Sequence, residues 1–151
     1  MIKIICVGKI KEKYLRDAVS EYQKRISKYT KLEIIELNDF SDKNTQIILN
    51  KEKQEIERYI NKNDYIISLD IKGNMLSSEA LSTKIDKIFI TNSNITFIIG
   101  GSYGLHDDIK KMSNELLSFS YLTFPHQLFR VMLLEQIYRS FKIQNNESYH
   151  K

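Results

Sequence analysis

The apolar residues of this chain recur with two alternating periods, and that alternation restricts the possible folds more than any other feature. Residues 2–8, IKIICVG, form a short apolar run ending in glycine, which reads as a strand. Residues 14–29 then place Tyr14, Leu15, Ala18, Val19, Tyr22, Ile26 and Tyr29 at helical spacing. LEIIEL (32–37), YIISLDI (65–71) and ITFII (95–99) read as further strands, the last without polar alternation and so buried on both faces. Between them lie helical patterns over 45–61, from Ser77 or Ser78 as N-cap to about 90, and over 106–114. LSFSYLTF (117–124) reads as a strand or an extended loop, and 126–143 is the longest apolar helix. The order βαβαβαβαβα predicts a single α/β domain over residues 1–151, with a parallel sheet covered by helices on both faces. At 151 residues one core suffices. Ligands of such sheets sit beyond the carboxyl ends of the strands. The turns after residues 71, 99 and 124 are therefore candidates for one shared site.

Three of the five glycines fall in FIIGGSYGLHDDI, residues 97–109, directly after a strand. Glycine has no Cβ, so Gly100, Gly101 and Gly104 allow backbone amides to approach a ligand closely. The spacing G-G-x-x-G is neither the dinucleotide fingerprint nor a P-loop, and a plain tight turn is the competing reading. In SFSYLTFPHQLFR, residues 118–130, the hydroxyls of Ser118, Ser120 and Thr123 alternate with Phe119, Tyr121 and Phe124, and Pro125 then opens a helix. Such a stretch suits a flat, neutral ligand such as an adenine ring; the alternative is a half-buried edge strand.

The helix 126–143 is apolar nearly all round, so it must be buried on more than one side. A subunit interface, most simply a two-fold dimer, satisfies that, as does a central core position. Arg139 interrupts this apolar surface and is expected to be paired or ligand-binding. His126 can cap, pack or act chemically. His106 is expected to be solvated or part of a turn. The tail ESYHK carries Tyr149, His150 and Lys151, suited to meeting RNA by stacking and charge, against the default of a frayed end.

Net charge is +4, unevenly spread. Residues 1–31 hold nine Lys/Arg against three Asp/Glu, and residues 32–120 hold ten against fourteen. Clustered basic charge attracts a polyanion such as RNA, or simply forms a solvated helix face. Cys6, the only cysteine, sits in an apolar strand and reads as a buried thiol, so neither an intrachain disulfide nor a metal site is expected. No apolar run approaches the ~20 residues of a membrane span, and no signal-peptide pattern opens the chain. A cytoplasmic protein without a membrane partner is the expectation.

VGKIKEKY near the start, FIIGGSYGLH, LSFSYLTFPHQLFRVMLLEQIYRSFKI and the terminal YHK together resemble the large-subunit ribosomal RNA methyltransferase H family, over essentially the whole chain and in order. These are small SPOUT-class enzymes that methylate N3 of a pseudouridine in 23S rRNA. The resemblance implies an α/β fold with a C-terminal trefoil knot, contrary to the general absence of knots. It implies S-adenosylmethionine as cofactor, held by Leu69, Gly100 and the run Phe119, Ser120, Tyr121, Leu122, Thr123 and Phe124. It also implies a homodimer whose active site is completed across the interface, acting on the assembled ribosome. Under that reading Arg139 lies near the target base, His126 or His150 accepts a proton, Tyr149 stacks on or hydrogen-bonds the base, and the basic segment with Lys9, Lys11, Lys13 and Arg16 faces rRNA. A non-enzymatic ribosome- or RNA-binding module, and the same fold acting on another nucleotide, are the alternatives.

Overall fold

A computed structural model describes residues 1–151. All ten elements occur in the expected order. They are β1 (Ile2–Val7), α1 (Lys13–Ile26), β2 (Leu32–Leu37), α2 (Thr45–Glu57), β3 (Tyr65–Met75), α3 (Ser78–Thr91), β4 (Ile95–Ile99), α4 (Asp107–Met112), β5 (Glu115–Ser118) and α5 (His126–Gln144). The five strands form one parallel sheet in the order β2-β1-β4-β3-β5.

The period-2 side-chain alternation of the strands divides the core in two. Ile2, Ile4 and Cys6 of β1 and Ile95, Phe97 and Ile99 of β4 face α1, α3 and α5. Ile5, Val7 and Ile98 face α2 and α4. β4 is buried at every position, as its unbroken apolar run predicts. Lys3 of β1 is the departure: its ammonium is buried, donating to the Tyr59 carbonyl at 2.7 Å and to Asp64 Oδ2 at 3.1 Å. Cys6 is wholly buried, and burial pushes its thiol up to about 12, so it stays protonated and inert.

Four boundaries differ from the sequence reading. α1 ends at Ile26, before a turn. α2 ends at Glu57 rather than near residue 61. β3 runs on to Met75 past a register shift, so that Leu69 and Asn74 both pair with Leu117. A Cβ on Gly73 would lie 2.6 Å from the Leu116 carbonyl, which is why glycine occupies that step. β5 stops at Ser118, and 119–124 is irregular. Ser77, not Ser78, caps α3 by accepting from the Ala80 amide.

His106 is a cap rather than a solvated turn residue. Its Nδ1 accepts from the Asp108 amide at 2.9 Å, and Nε2 therefore carries the proton that meets Asn50 Oδ1 at 2.9 Å, tying α4 to α2. α5 takes the central position, packed on the sheet and flanked by α1 and α3. The tail does not fray. Asn146 adopts a left-handed conformation (φ 54°) that turns the chain back, and Glu147 is held by Tyr29 and Lys142.

Candidate active site

The carboxyl ends of β4 and β5 and the register shift of β3 open into one cavity of about 580 Å³, within the range of roughly 300–1,000 Å³ typical of small-ligand sites. Three segments wall it, the ones the element order nominates: 69–71, at the register shift within β3, the glycine turn from Ile99 at the end of β4 to Gly104, and 117–126 from the end of β5, with Phe129 closing from α5. The aromatic side is ordered by Phe129, which packs against Phe119 with ring centroids 4.8 Å apart and against Phe124 at 6.4 Å.

The glycine turn is a backbone cradle. Gly104 has φ +76°, and its amide donates to the Gly101 carbonyl at 3.1 Å. A Cβ on Gly100 would lie 2.5 Å from the Gly104 carbonyl oxygen, so no side chain fits between the two strands of the turn. In the 119–124 segment the Ser118 hydroxyl donates to the Ser120 carbonyl and the Leu122 amide donates to Ser120 Oγ. This local turn brings Phe119, Ser120, Leu122, Thr123 and Phe124 to the cavity and throws Tyr121 to the outer tip, 82% exposed and outside the lining.

Seven of the eight candidate cofactor residues thus meet at one place: Leu69, Gly100, Phe119, Ser120, Leu122, Thr123 and Phe124. His126, at the start of α5, joins them. Asp70 is the carboxylate that sequence reasoning passed over. It follows Leu69 at the register shift within β3, lines the cavity, and lies 3.4 Å from Lys110 Nζ. A carboxylate inside the apolar run YIISLDI was the available signal.

Arg139, Tyr149 and His150 do not line the cavity. They form a second cluster organised by Glu135, one helical turn before Arg139. Arg139 donates from Nε and Nη2 to Glu135 Oε1 at 2.9 and 2.6 Å, while Tyr22 and Tyr149 donate to Oε2 at 2.6 and 2.9 Å. The Arg139 guanidinium stands 4.7 Å over the Tyr149 ring, and Arg139 Nη1 donates to His150 Nδ1 at 3.1 Å. His150 Nε2 in turn meets Glu79 Oε1 at 2.6 Å. Arg139 is thus paired, as expected of a guanidinium in an apolar helix, yet two of its five N–H groups remain available. Beside the cavity lies a smaller pocket of about 270 Å³, lined by Leu76, Met132 and Gln136 and sharing Leu117–Ser120 and Phe124 with it.

Beneath the glycine turn lies a second residue the sequence did not single out for chemistry. Glu52 of α2 is 6% exposed, its Oε1 3.2 Å from the Cβ position of Gly101. Burial, and then the nearby Asp39 carboxylate, push its carboxyl from the ordinary 4.5 up to about 7. An acid with a raised folded-state value binds more protons folded than unfolded, so the penalty is absent below pH 4.5 and grows as pH rises to about 7. Glu52→Gln is expected to relieve on the order of 2–3 kcal/mol of instability at pH 8 and little at pH 4.5. Urea unfolding of both proteins across this range checks it, and a difference independent of pH would refute it.

The cavity fits S-adenosylmethionine, the cofactor the resemblance implies: it is large enough, mostly apolar, and rimmed by a tight glycine turn that admits no Cβ at Gly100. No cluster of His, Cys, Asp or Glu is arranged to hold a metal ion. No helix is long and apolar enough to cross a membrane.

Comparison with known proteins agrees with this architecture. Residues 1–150 match the family model described as a predicted SPOUT methyltransferase. The chain is 55% identical over 157 residues to the ribosomal RNA large subunit methyltransferase H of Clostridium botulinum (strain Eklund 17B / Type B), covering 99% of both chains. The protein of the same name from Caldicellulosiruptor saccharolyticus is 47% identical, with 100% of both chains covered. A solved structure of a probable methylase family protein from Haemophilus influenzae Rd KW20 superposes with a TM-score of 0.62 at 11% identity, covering 99% of this chain and 70% of that one, a likeness of fold. With a family match over nearly every residue, and relatives about half identical from end to end, this chain belongs to the SPOUT methyltransferase family.

Proposed function

We propose that this methyltransferase transfers a methyl group from S-adenosylmethionine to N3 of a pseudouridine in 23S rRNA of the assembled ribosome, acting as a homodimer. The observation that carries this reading is the convergence of Leu69, Gly100 and the 119–124 segment on one apolar, backbone-rimmed cavity. The name shared by relatives about half identical to the chain over its whole length supports the rRNA substrate.

The cofactor supplies an electrophilic methyl on a sulfonium. This chain's residues position it and exclude water. Phe119, Phe124 and Phe129 give apolar walls, which suit a charge that disappears as the methyl leaves. The nucleophilic ring nitrogen must lose a proton. Either His126 on the cavity wall or His150, once its Nδ1 is released from Arg139, accepts it. The Arg139 guanidinium stabilises the negative charge that builds on the carbonyl oxygens flanking the nitrogen. Tyr149, held edge-on to Tyr138 at 5.0 Å, presents a fixed ring for the target base.

The separation of the Arg139 cluster from the cavity supports a dimer: a second copy can bring its cluster over the cavity mouth. Exposed Leu76 and Leu122, with half-buried Met132, border the cavity and the neighbouring pocket and offer the apolar surface for that contact. The trefoil knot belongs to the same reading. It is supported by a chain that leaves β5 at the sheet edge, rounds the cavity through 119–124 and returns as a central α5.

The test is to incubate the protein with methyl-labelled adenosylmethionine and undermethylated ribosomes and to map the label. Label on a pseudouridine of large-subunit RNA, seen only with assembled ribosomes, is the expected result. Label elsewhere in RNA would assign another nucleotide to the same fold. Ribosome binding with no cofactor binding would make the protein a non-enzymatic module.

A further inference from the structure

Of the four basic side chains that open the sequence, the fold uses two internally. Arg16 Nη1 turns back to the Lys11 carbonyl at 2.6 Å, and Lys13 pairs with Asp17 at 2.8 Å. Lys9 and Lys11 have no carboxylate partner and are exposed. Beside them Tyr14 projects 69% exposed from the first turn of α1, although the helix has buried positions at Leu15 and Val19. A single exposed aromatic is ordinary. Its setting here is not.

The loop carrying these residues is fixed at four points. The Gly8 carbonyl accepts from Arg130 Nη2 at 3.0 Å, and the Ile10 amide donates to Glu36 Oε2 at 2.9 Å. The Lys11 amide donates to Gln127 Oε1 at 3.1 Å, and the Lys11 carbonyl takes the Arg16 bond. Arg130 is itself fully buried and bonded to Glu36 at 2.6 Å. The loop is therefore tied to α5 immediately beside the cavity: the Cβ position of Gly8 lies 3.4 Å from His126 Nε2, and His126 is a wall of the cavity. Two free ammonium groups and one aromatic face are thus held on a rigid support next to the proposed methyl-transfer site. Of the acidic side chains at this loop, Glu36 is paired with Arg130, Asp39 lies 2.9 Å from the Cβ position of Gly8, and Glu12 is exposed. A pre-organised surface of this kind loses little entropy on binding. Unpaired cations with an interleaved aromatic are the chemistry that grips unpaired nucleic acid, where cations meet phosphates and a ring stacks on a base.

We propose that Lys9, Lys11 and Tyr14 form a contact for an unpaired RNA segment flanking the target nucleotide, with Tyr14 stacked on a base and the two lysines on the backbone. This rests on the reading of RNA as substrate. It is tested with the full chain and undermethylated ribosomes, by cosedimentation at several salt concentrations, alongside adenosylmethionine affinity and analytical ultracentrifugation. Tyr14→Ala is expected to weaken ribosome binding roughly tenfold, with Tyr14→Phe near wild type. Tyr14→Ala leaves the slope of log affinity against log salt unchanged, whereas the Lys9→Gln/Lys11→Gln double variant flattens it by about 1–2. Cofactor affinity and oligomeric state stay unchanged in all three. Wild-type ribosome affinity for Tyr14→Ala overturns the proposal, as does a loss that follows from subunit dissociation, which would make Tyr14 an interface residue. If the unaltered protein shows no salt-dependent ribosome binding, this proposal and the rRNA reading fall together. If it binds and methylates but ignores Tyr14, only this proposal falls.

Discussion

Replacing Arg139 by alanine is expected to lower single-turnover methylation of undermethylated ribosomes by roughly 10²–10³-fold, the usual cost of removing one charge-stabilising donor, with adenosylmethionine affinity unchanged. The two halves of that expectation have separate structural grounds. Arg139 does not line the cavity of its own chain, so cofactor binding has no direct reason to change. Its guanidinium is held by Glu135, His150 and the face of Tyr149, which fixes its orientation and leaves N–H groups for a substrate. Arg139→Lys keeps a charge but loses the planar fork and its stacking on Tyr149, so it restores only part of the rate. Alanine also strips Glu135 of two of its four donors, so a melting curve belongs with the assay. Retained single-turnover methylation in a folded Arg139→Ala protein would remove this residue from the catalytic machinery.

Gly100→Ala is expected to abolish measurable cofactor binding or to weaken it by about 10²-fold, as displacement of a binding group by ~1 Å does. The added Cβ would sit 2.5 Å from the Gly104 carbonyl oxygen and 2.7 Å from its carbon. Both are backbone atoms, so no side-chain rotation relieves the clash and the turn itself must open. The cradle that faces the cavity then moves. Ser102→Ala in the same turn adds no atom and serves as the control. Isothermal titration with adenosylmethionine reads both variants, and wild-type affinity in Gly100→Ala would mean that the turn is a bend without a ligand.

The candidate site was legible to the extent that it is built from strand ends. Leu69, Gly100 and Phe119–Phe124 follow three apolar runs, and a parallel sheet places all such turns on one edge. What could not be read were side-chain directions. Tyr121 belongs to an alternating segment that looks like a strand, yet two hydrogen bonds through Ser118 and Ser120 curl it into a turn that points the ring outward. Arg16 looks like one more surface cation until it is seen closing the loop it follows. Glu135 looks like an ordinary i, i+4 partner for Arg139, and becomes a hub only because Tyr22 arrives from α1, 113 residues earlier.

The ten elements, their order, the parallel sheet and the double burial of β4 follow from the amino-acid order alone, because side-chain period and strand–helix alternation are local properties of the chain. That order also placed an apolar-all-round helix at the end, which had to be covered on several sides. Long-range packing sets the rest: β4 lies between β1 and β3, β5 pairs with β3, and these neighbours fix which three segments share a cavity. It alone decided that Lys3 meets Asp64, that Glu52 is buried beneath the glycine turn, and that Arg139 stands apart from the cavity. The reason is physical. Apolar burial is non-directional and says only that a face is covered. Which face covers it is set by hydrogen bonds and charges that find their partners across the fold.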